Sequence, residues 1–280
     1  MKGWRFALSR RWLGYLALVV AFAIACTLLS LWQIARRDEA RADIVRVDMN
    51  WDADPRPLAE LLTERTGFDE ELTWSPVTLT GQYLTDDQLL ARGRPLNGNP
   101  GFEVLVPFQL EDGTIFIVDR GWVPPGSQQD APEDVPAPPS GEVTVVARLK
   151  AGEPTLAGRS APPGQVATIH LPTIAALVGD STYTGAYGLL DSEDPAPATR
   201  PAAVVKPAPD EGPHLSYAFQ WVLFGIMAFI ALGWAIRQEY RIRNADDPIE
   251  RERAAVRERK RAAKPRTDAE IEDDLVDAHR

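Results

Sequence analysis

The sequence predicts an α+β membrane protein in which two transmembrane helices flank one extracytoplasmic domain. That domain is expected to be mainly antiparallel β, compatible with a barrel, with one or two short helices. Two apolar stretches predict the spanning helices: Leu13–Trp32 has twenty residues, Leu215–Ile236 has twenty-two, and neither contains a charge. At about 1.5 Å per residue, each gives a helix about 30 Å long, which matches the hydrocarbon core of a bilayer. The third observation is the roughly 180 residues between them, enough for one globular domain, and together these features argue against a freely soluble enzyme.

Six consecutive segments follow from this pattern. They are a cytoplasmic head at 1–11, a first transmembrane helix at 12–34, an extracytoplasmic domain at 35–194, a proline-rich tether at 195–213, a second transmembrane helix at 214–236 and a charged cytoplasmic tail at 237–280.

Positive charge near the ends of the apolar stretches orients the chain. Four basic residues precede the first stretch and five follow the second: Lys2, Arg5, Arg10, Arg11, and then Arg237, Arg241, Arg243, Arg251, Arg253. Because Lys and Arg accumulate on the cytoplasmic side, both termini are expected inside and the central domain outside. Arg36, Arg37 and Arg41 follow the first stretch and oppose this orientation.

The net charge of the central segment and the ratio of arginine to lysine indicate which partners and which membrane to expect. Residues 44–213 carry a net charge of −14, which argues against a nucleic-acid partner. Arginine outnumbers lysine 25 to 5, a bias typical of GC-rich bacterial genomes. We therefore expect the lipid bilayer in contact with this chain to be a bacterial plasma membrane.

A cleaved signal is the alternative for the first apolar stretch. Ser9-Arg10-Arg11 resembles a twin-arginine start, and Ala23–Cys26 resembles a lipoprotein cleavage box. The apolar run continues past Cys26 to Trp32, whereas a lipoprotein usually turns polar after its cysteine. A retained transmembrane helix is therefore favoured.

The central domain shows mainly β signals. A short helix is predicted over Pro57–Thr66, ended by Gly67, and a second over Leu171–Val178, ended by Gly179. Six strands are predicted: Thr73–Thr80, Phe102–Leu110, Thr114–Val123, Glu142–Lys150, Gln165–His170 and Ala186–Leu190. Glu111-Asp112-Gly113 is typical of a hairpin turn between the second and third of them.

Several kinds of chemistry are missing from the sequence. A single cysteine, Cys26, excludes an internal disulfide and a Cys-x-x-Cys site, and three histidines do not make a His-rich metal cluster. The sequence contains no nucleophile elbow, no His-Glu-x-x-His pair and no glycine-rich nucleotide loop. The residues therefore favour a non-enzymatic protein that is anchored at both ends of its outer domain.

The boundaries of the two apolar stretches carry the most informative residues. The first stretch ends at Trp32-Gln33, and the second begins just after Pro213-His214, so both lie at the same outer interface. At about 100° per residue, five residues share one stripe of the second helix: His214, Tyr217, Ala218, Trp221 and Gly225. Imidazole is a common axial ligand of haem iron, and a porphyrin needs aromatic and apolar walls. The alternative, which the residues alone favour, is that the aromatic residues are interfacial anchors and the histidine a cap.

A second feature is the segment Ile115–Pro124, which contains Arg120-Gly121-Trp122. Gly121 suits a β-bulge, and Arg120 could bind a carboxylate such as a haem propionate. The alternative is a structural ion pair of Arg120 with Asp119 or another acid, and the abundance of acidic residues favours it.

Six motifs follow one another over roughly residues 12–240: Trp32-Gln33 with Arg36-Arg37, then Gly81-Gln82-Tyr83, Arg92, Gly101–Phe108, Val118–Pro124 and His214–Trp221. In this order they resemble the surfeit locus protein 1 family of cytochrome c oxidase assembly factors. Two positions and one segment depart from the family pattern. Asp119 stands where Asn is frequent and Ser30 stands where Gly is frequent, and the long charged tail is not a family feature.

The resemblance implies a non-enzymatic assembly role that assists haem a insertion into subunit I of a haem–copper terminal oxidase. The implied partners are the cytochrome c oxidase subunits, subunit I above all. His214 is the implied ligand of haem iron, with Tyr217, Trp221 and Arg120 as further cofactor-binding residues. The remaining motif residues with an implied structural or partner role are Trp32, Gln33, Gly121, Trp122 and Gln220.

Three other functions stay open on the sequence. The chain could be a permanent accessory subunit of the oxidase that binds no haem, or a two-span sensor whose tail signals in the cytoplasm. It could also be a secreted lipoprotein attached through Cys26.

Overall fold

A computed structural model describes residues 3–127 and 131–263, which form two compact units. One unit combines the chain up to Asp38 with the chain from Gly212 onward, and the other comprises Glu39–Glu211. The tail predicted over 237–280 lies within the described residues only as far as residue 263.

Thirteen helices and strands follow one another in the described chain. They are α1 (Arg10–Asn50), β1 (Arg56–Pro57), α2 (Leu58–Leu61), β2 (Pro76–Tyr83), β3 (Leu89–Arg92), β4 (Phe102–Leu110), β5 (Ile115–Val123), β6 (Val143–Ala151), β7 (Gln165–Val166), α3 (Leu171–Val178), β8 (Ala186–Asp194), α4 (His214–Arg243) and α5 (Pro248–Ala262).

The first unit contains α1 as far as Asp38, together with α4 and α5, and α1 and α4 are long and apolar enough to cross a membrane. Their large apolar side chains face outward: Leu28 is 61% exposed, Ile230 is 65% exposed and Trp234 is 66% exposed. A core helix of a soluble protein would bury such side chains, so their exposure is what a lipid-facing helix requires. The predicted pair of apolar helices around a β domain is confirmed.

The α1 helix continues to Asn50, beyond residue 34, where the first transmembrane helix was predicted to end. Charged residues begin at Arg36, but the residues that follow are mostly Ala, Arg, Glu and Ile, which are compatible with a helix. The next residue that would break the helix is Pro55. The loss of hydropathy therefore does not coincide with the end of the helix.

The second unit is a closed five-stranded β-barrel. Its strands pair in the order β2–β6–β8–β5–β4, and β4 returns to β2 through Gly81 opposite Leu110 and Tyr83 opposite Phe108. Within this ring β5 and β8 are the only neighbours that run parallel, and the strand order is that of a Greek-key barrel. Because the ring is closed, it has no free edge. Outside the ring, β3 pairs with β4, β7 with β3, and β1 with β2.

Two apolar clusters fill the barrel unit. The larger one contains inward-facing residues of all five barrel strands. One from each strand is fully buried, at 0% exposure: Val77, Val104, Val118, Val145 and Ala186. The smaller one lies beneath β3, β7 and α3. The larger cluster buries one face of β4 and β5 and the smaller cluster buries the other, which accounts for the near-continuous apolar sequence of these two strands.

Most predicted elements of the barrel unit are confirmed, and one helix and three strands differ. β4 and α3 have the predicted bounds, and Gly113 forms the predicted hairpin turn with φ +81° and its N–H bonded to the carbonyl of Leu110. The predicted helix Pro57–Thr66 is wrong beyond Leu61, because the chain leaves the helix once Leu58 and Leu62 are buried.

Three strands also differ from prediction. β3 (Leu89–Arg92) was not predicted, since it is four residues long and follows two aspartates. The strand predicted over Gln165–His170 pairs only through Gln165 and Val166, and β8 extends to Asp194 because β6 continues to pair with it.

Candidate functional site

The α1 and α4 helices pack against each other in antiparallel orientation. Arg11 forms an ion pair with Glu239 at 2.7 Å, and the Ser30 hydroxyl donates to the carbonyl of Ala218 at 3.1 Å. Further along α1, Gln33 contacts His214. As residue numbers rise along α1 they fall along α4, so the two helices lie side by side through the apolar region.

Small residues bring the two helices together. Ala218 is 4% exposed, and Cys26 is 3% exposed. A Cβ atom placed on Gly225 would lie 3.7 Å from the Cβ of Cys26, which is an ordinary contact distance. Small residues at such positions allow helix backbones to approach closely.

His214 is the first residue of α4, and Gln33 orients its ring. The Nδ1 atom of His214 lies 2.8 Å from the Oε1 atom of Gln33. With an amide oxygen as its partner, Nδ1 carries the hydrogen and donates it, which leaves the lone pair on Nε2. Among the residues that the structure describes, no second hydrogen-bond partner of this ring is present. The imidazole is therefore held in the tautomer and orientation of a metal-binding histidine.

Gly212 leaves the Nε2 edge of the imidazole uncovered. A Cβ atom at Gly212 would lie 3.2 Å from both the Nε2 and Cδ2 atoms of His214, and the glycine has a φ of +66°. A larger residue at this position would be strained and would crowd the nitrogen that carries the lone pair.

The other predicted residues of the helix pair are distributed over different surfaces. Tyr217 is 47% exposed, Trp32 is 54% exposed, and Gln220 is also exposed. Trp221 is half-buried, and its ring meets Phe224 edge to face at 5.8 Å. The structure thus brings His214 together with Gln33, whereas Tyr217, Trp32 and Gln220 project away from the helix contact.

The Arg120-Gly121 segment forms the predicted β-bulge in the barrel unit. Glu103 pairs with Trp122 and Leu105 pairs with Asp119, so two residues of β5 lie opposite one residue of β4. Gly121 has a φ of +121°, a conformation that glycine adopts without a steric penalty.

The Arg120 side chain is 0% exposed and is held inside the barrel. Its Nη2 atom donates to Glu193 at 2.7 Å, and its Nη1 atom donates to the carbonyl of Pro136 at 2.7 Å. Tyr83 donates to the same carboxylate at 2.8 Å and lies 5.5 Å below the guanidinium, and burial raises the pKa of the Tyr83 hydroxyl. The partner is thus Glu193 and not Asp119, and an external carboxylate cannot reach Arg120 without opening the barrel.

Gly121 and Trp122 attach the proline-rich segment to β5. Trp122 and Ala202 exchange both backbone hydrogen bonds, at 2.9 and 2.8 Å. A Cβ atom on Gly121 would lie 2.3 Å from the carbonyl oxygen of Ala202, so only glycine allows this approach. The Trp122 indole donates to the carbonyl of Arg94 at 2.8 Å and covers Gly101.

Asp119 is a buried acid whose importance was not predicted. It is 0% exposed, one carboxylate oxygen accepts from the Gly121 N–H at 2.9 Å, and the other has no hydrogen-bond partner. Burial first, and then the charge of the nearby Glu103, raise the pKa of Asp119 to about 8. The described residues contain no group of three or more acidic, histidine or cysteine side chains that could hold a metal ion. Sequence reasoning identified Asp119 as a candidate ion-pair partner of Arg120 and as a departure from the family pattern, and did not predict its buried, partly unpartnered carboxylate.

Comparison with known proteins gives one family model and several similar sequences. The model of the SURF1 family matches residues 20–226. An uncharacterized SURF1-like protein of Mycobacterium bovis is 37% identical over 246 residues, which cover 86% of this chain and 89% of the relative. The cytochrome oxidase assembly protein SHY1 of Saccharomyces cerevisiae is 28% identical over 109 residues, or 39% of this chain and 28% of that protein. A SURF1-like protein of Dictyostelium discoideum is 28% identical over 109 residues, or 37% of this chain and 38% of its own length.

Proposed function

Since the chain belongs to the SURF1 family, we propose that it is a membrane-anchored assembly factor for cytochrome c oxidase. The yeast relative is named a cytochrome oxidase assembly protein, and the family match extends over both the helix contact and the barrel. The proposed role is non-enzymatic, and the lack of the common catalytic motifs in the sequence is consistent with it. Subunit I of the oxidase is the proposed partner.

The proposed setting is a bacterial plasma membrane with both termini in the cytoplasm and the barrel outside. The basic residues before α1 and at the end of α4 support this orientation. Two exposed apolar positions test it: Leu177 in the barrel unit is 62% exposed and Ile249 in α5 is 61% exposed. In a Cys26→Ser background, a membrane-impermeant maleimide added to intact cells should label Leu177→Cys and not Ile249→Cys. Labelling of Ile249→Cys alone would reverse the orientation.

The cargo that we propose is haem a, held briefly at His214 on its way to subunit I. The single observation that carries this proposal is the hydrogen bond from Nδ1 to Gln33, which leaves Nε2 able to bind iron. Gln33 is a positioning residue in this arrangement. The haem supplies the iron, and the chain supplies one oriented imidazole at the end of an apolar helix pair.

The haem content of the purified full chain tests this proposal. His214→Ala should remove the Soret absorbance. Gln33→Leu should weaken haem binding by about 10- to 100-fold, the usual effect of losing the hydrogen bond behind a ligating histidine. His170→Ala is the matched control, since His170 is a half-buried histidine of the barrel unit whose ring bonds to Thr173. Equal Soret absorbance in wild type and His214→Ala, or none in either, removes the ligand role.

The assembly role has a separate test in membranes. Deletion of the chain should lower the haem a band in a reduced-minus-oxidised spectrum, and the wild-type chain should restore it. A permanent accessory subunit without haem would instead co-purify stoichiometrically with the mature oxidase. An unchanged haem a band after deletion would contradict the assembly role.

A further inference from the structure

Four residues of the proline-rich segment form a strap across the barrel unit. The strap, residues 201–204, contains a buried proline, Pro201, and Val204, which packs against the smaller apolar cluster. Between them, Ala202 and Trp122 exchange the one pair of backbone hydrogen bonds that the strap makes in the described part of the chain. The side chains of the strap belong to proline, alanine and valine, so two backbone bonds and apolar packing hold it in place.

Asp119 lies on the face of β5 that the strap covers. It pairs with Leu105, a residue of the smaller apolar cluster, and residues directly opposite each other in a sheet point to the same face. Ile117, two residues earlier on β5, also belongs to that cluster. The Asp119 carboxylate accepts the Gly121 N–H at 2.9 Å. The strap passes over this glycine, because a Cβ atom there would lie 2.3 Å from the carbonyl oxygen of Ala202.

Asp119 has no ion-pair partner among the residues that the structure describes. It is 0% exposed, and one of its carboxylate oxygens has no hydrogen-bond partner. The charged and titratable groups that act on Asp119 or on its neighbours come from β4, β6, β8 and two loops, whereas the strap and α3 contribute none. They are Glu103 on β4, Lys150 on β6, Tyr187 on β8, Arg94 in the loop after β3 and Glu153 in the loop after β6.

The two cations of this set are engaged with other partners. Arg94 forms ion pairs with two glutamates, at 2.6 and 2.9 Å, and the Lys150 ammonium lies 5.8 Å from the centre of the Trp74 ring. A negative charge on Asp119 would therefore lie uncompensated in an apolar cluster, close to the charge of Glu103. Burial, and next the charge of Glu103, raise the pKa of Asp119 to about 8, so the carboxyl group keeps its proton at neutral pH.

The strap is the most weakly held of the elements next to Asp119. β4 and β8 also reach Asp119, through its pairing with Leu105 and Leu189. Both strands are anchored along their lengths by antiparallel pairing, β4 with β5 and β8 with β6. Local opening follows the route that breaks the fewest contacts. Lifting the strap breaks two backbone hydrogen bonds and exposes Val204, so it brings water to Asp119 with less disruption than the separation of either strand.

We propose that residues 201–204 act as a proton-controlled strap, which is closed on the barrel while Asp119 is protonated and lifts when Asp119 ionises, without unfolding of the barrel. Because the strap lies between β8 and α4 in the chain, lifting it lengthens the connecting segment that is not bound to the barrel. This inference goes beyond the proposed function and does not depend on it.

The direction of the pH dependence follows from the two states of the strap. In the closed state the pKa of Asp119 is about 8, whereas in the lifted state contact with water restores the ordinary pKa of 3.8. The lifted state therefore releases a proton that the closed state keeps. The equilibrium constant for lifting rises by up to about tenfold per pH unit between these two values and levels off above pH 8, where both states are ionised.

The reactivity of a cysteine at position 204 measures the lifting. In the full chain in detergent, with Cys26→Ser, Val204→Cys places a thiol where the closed strap packs against the smaller cluster. Val205→Cys is the matched control, since Val205 is the next residue and is 74% exposed. The ratio of their rates with methyl methanethiosulfonate removes the pH dependence of the thiol itself. This ratio should rise at least about tenfold from pH 6 to pH 8 and then level off, and with Asp119→Asn it should stay constant within about twofold.

Val178→Cys distinguishes lifting of the strap from loosening of the whole domain. Val178 packs against the same apolar cluster from the end of α3, so its rate relative to Val205→Cys should not change between pH 6 and pH 8. A constant ratio for Val204→Cys when Asp119 is present would overturn the proposal. The same rise with Asp119→Asn, or an equal rise for Val178→Cys, would also overturn it. None of these outcomes bears on the assembly role, which the haem a band of membranes tests separately.

Discussion

The buried ion pair between Arg120 and Glu193 is expected to be a principal determinant of barrel stability. The side chains are 0% and 1% exposed, and the Glu193 carboxylate also accepts the hydrogen bond of Tyr83. Glu193→Ala would leave an unpaired guanidinium inside the barrel, which costs about 3–5 kcal/mol. For a domain of this size, about 1 kcal/mol shifts the melting temperature by about 2–4 °C, so the melting temperature should fall by about 6–20 °C.

Thermal unfolding of the full chain in detergent, followed by near-ultraviolet circular dichroism, measures this loss. Glu60→Ala is the control, since it removes an exposed partner of Arg56 at 3.1 Å and should cost at most about 0.5 kcal/mol. The double replacement Arg120→Met/Glu193→Leu should recover most of the stability, because it leaves no charge in the interior. A melting temperature of Glu193→Ala within about 2 °C of that of Glu60→Ala would refute this reasoning.

Three further changes test separate contacts. Asp119 holds a proton in the folded state up to a pKa of about 8, whereas the ordinary value is 3.8, so its contribution to stability falls as the pH rises between these values. Asp119→Asn removes this loss, and the difference between its melting temperature and that of the wild type should rise in favour of the variant from pH 5 to about pH 8 and then level off. Gly121→Ala should cost at least about 2 kcal/mol in the same unfolding assay, because its Cβ would lie 2.3 Å from a carbonyl oxygen of the proline-rich segment. Gly225→Leu should separate α1 from α4 and speed alkylation of the single buried cysteine by N-ethylmaleimide, whereas Gly225→Ala should not.

Matched glycines provide the controls for two of these changes. Gly113 also has a positive φ, +81°, but a Cβ there would meet nothing within 4 Å, so Gly113→Ala isolates the cost of the backbone conformation alone. Gly233 lies on α4 with nothing within 4 Å, so Gly233→Leu should leave cysteine alkylation unchanged. Equal losses of stability in Gly121→Ala and Gly113→Ala would contradict the close approach at Gly121, and equal rates of alkylation in Gly225→Leu and Gly233→Leu would contradict the helix contact at Gly225. Parallel pH profiles of the melting temperature for wild type and Asp119→Asn would contradict the raised pKa of Asp119.

The elements that the sequence predicted well are those with local signals. β4 and β5 are consecutive apolar strands around a hairpin turn, and α3 ends at a glycine with φ +144°. The elements that it missed depend on distant partners. β3 and β7 are short and exist through pairing with β4 and with each other, and closure of the barrel depends on a register between β2 and β4 that no local pattern specifies.

The same distinction explains the polar contacts. The contact of Gln33 with His214 joins residues 181 positions apart, yet it could be anticipated because both lie at the end of an apolar stretch and hence at the same depth. The partner of Arg120 could not be anticipated, because the central segment offers many acids and only the pairing of β8 with β6 brings Glu193 to the barrel interior.

The motif residues that carry the family resemblance fall into two groups with different consequences. The first group, Arg120, Gly121 and Trp122, makes structural contacts inside the barrel unit. Arg120 forms a buried ion pair, Gly121 allows a close backbone approach, and Trp122 forms backbone hydrogen bonds with the proline-rich segment. Changes there are expected to lower the amount of folded protein. His214 and Gln33 form a polar pair at the end of two apolar helices, where one imidazole nitrogen is left for a ligand. Changes there are expected to leave the fold intact and to alter the binding of haem a that we propose, so folded yield and haem content should vary independently between the two groups.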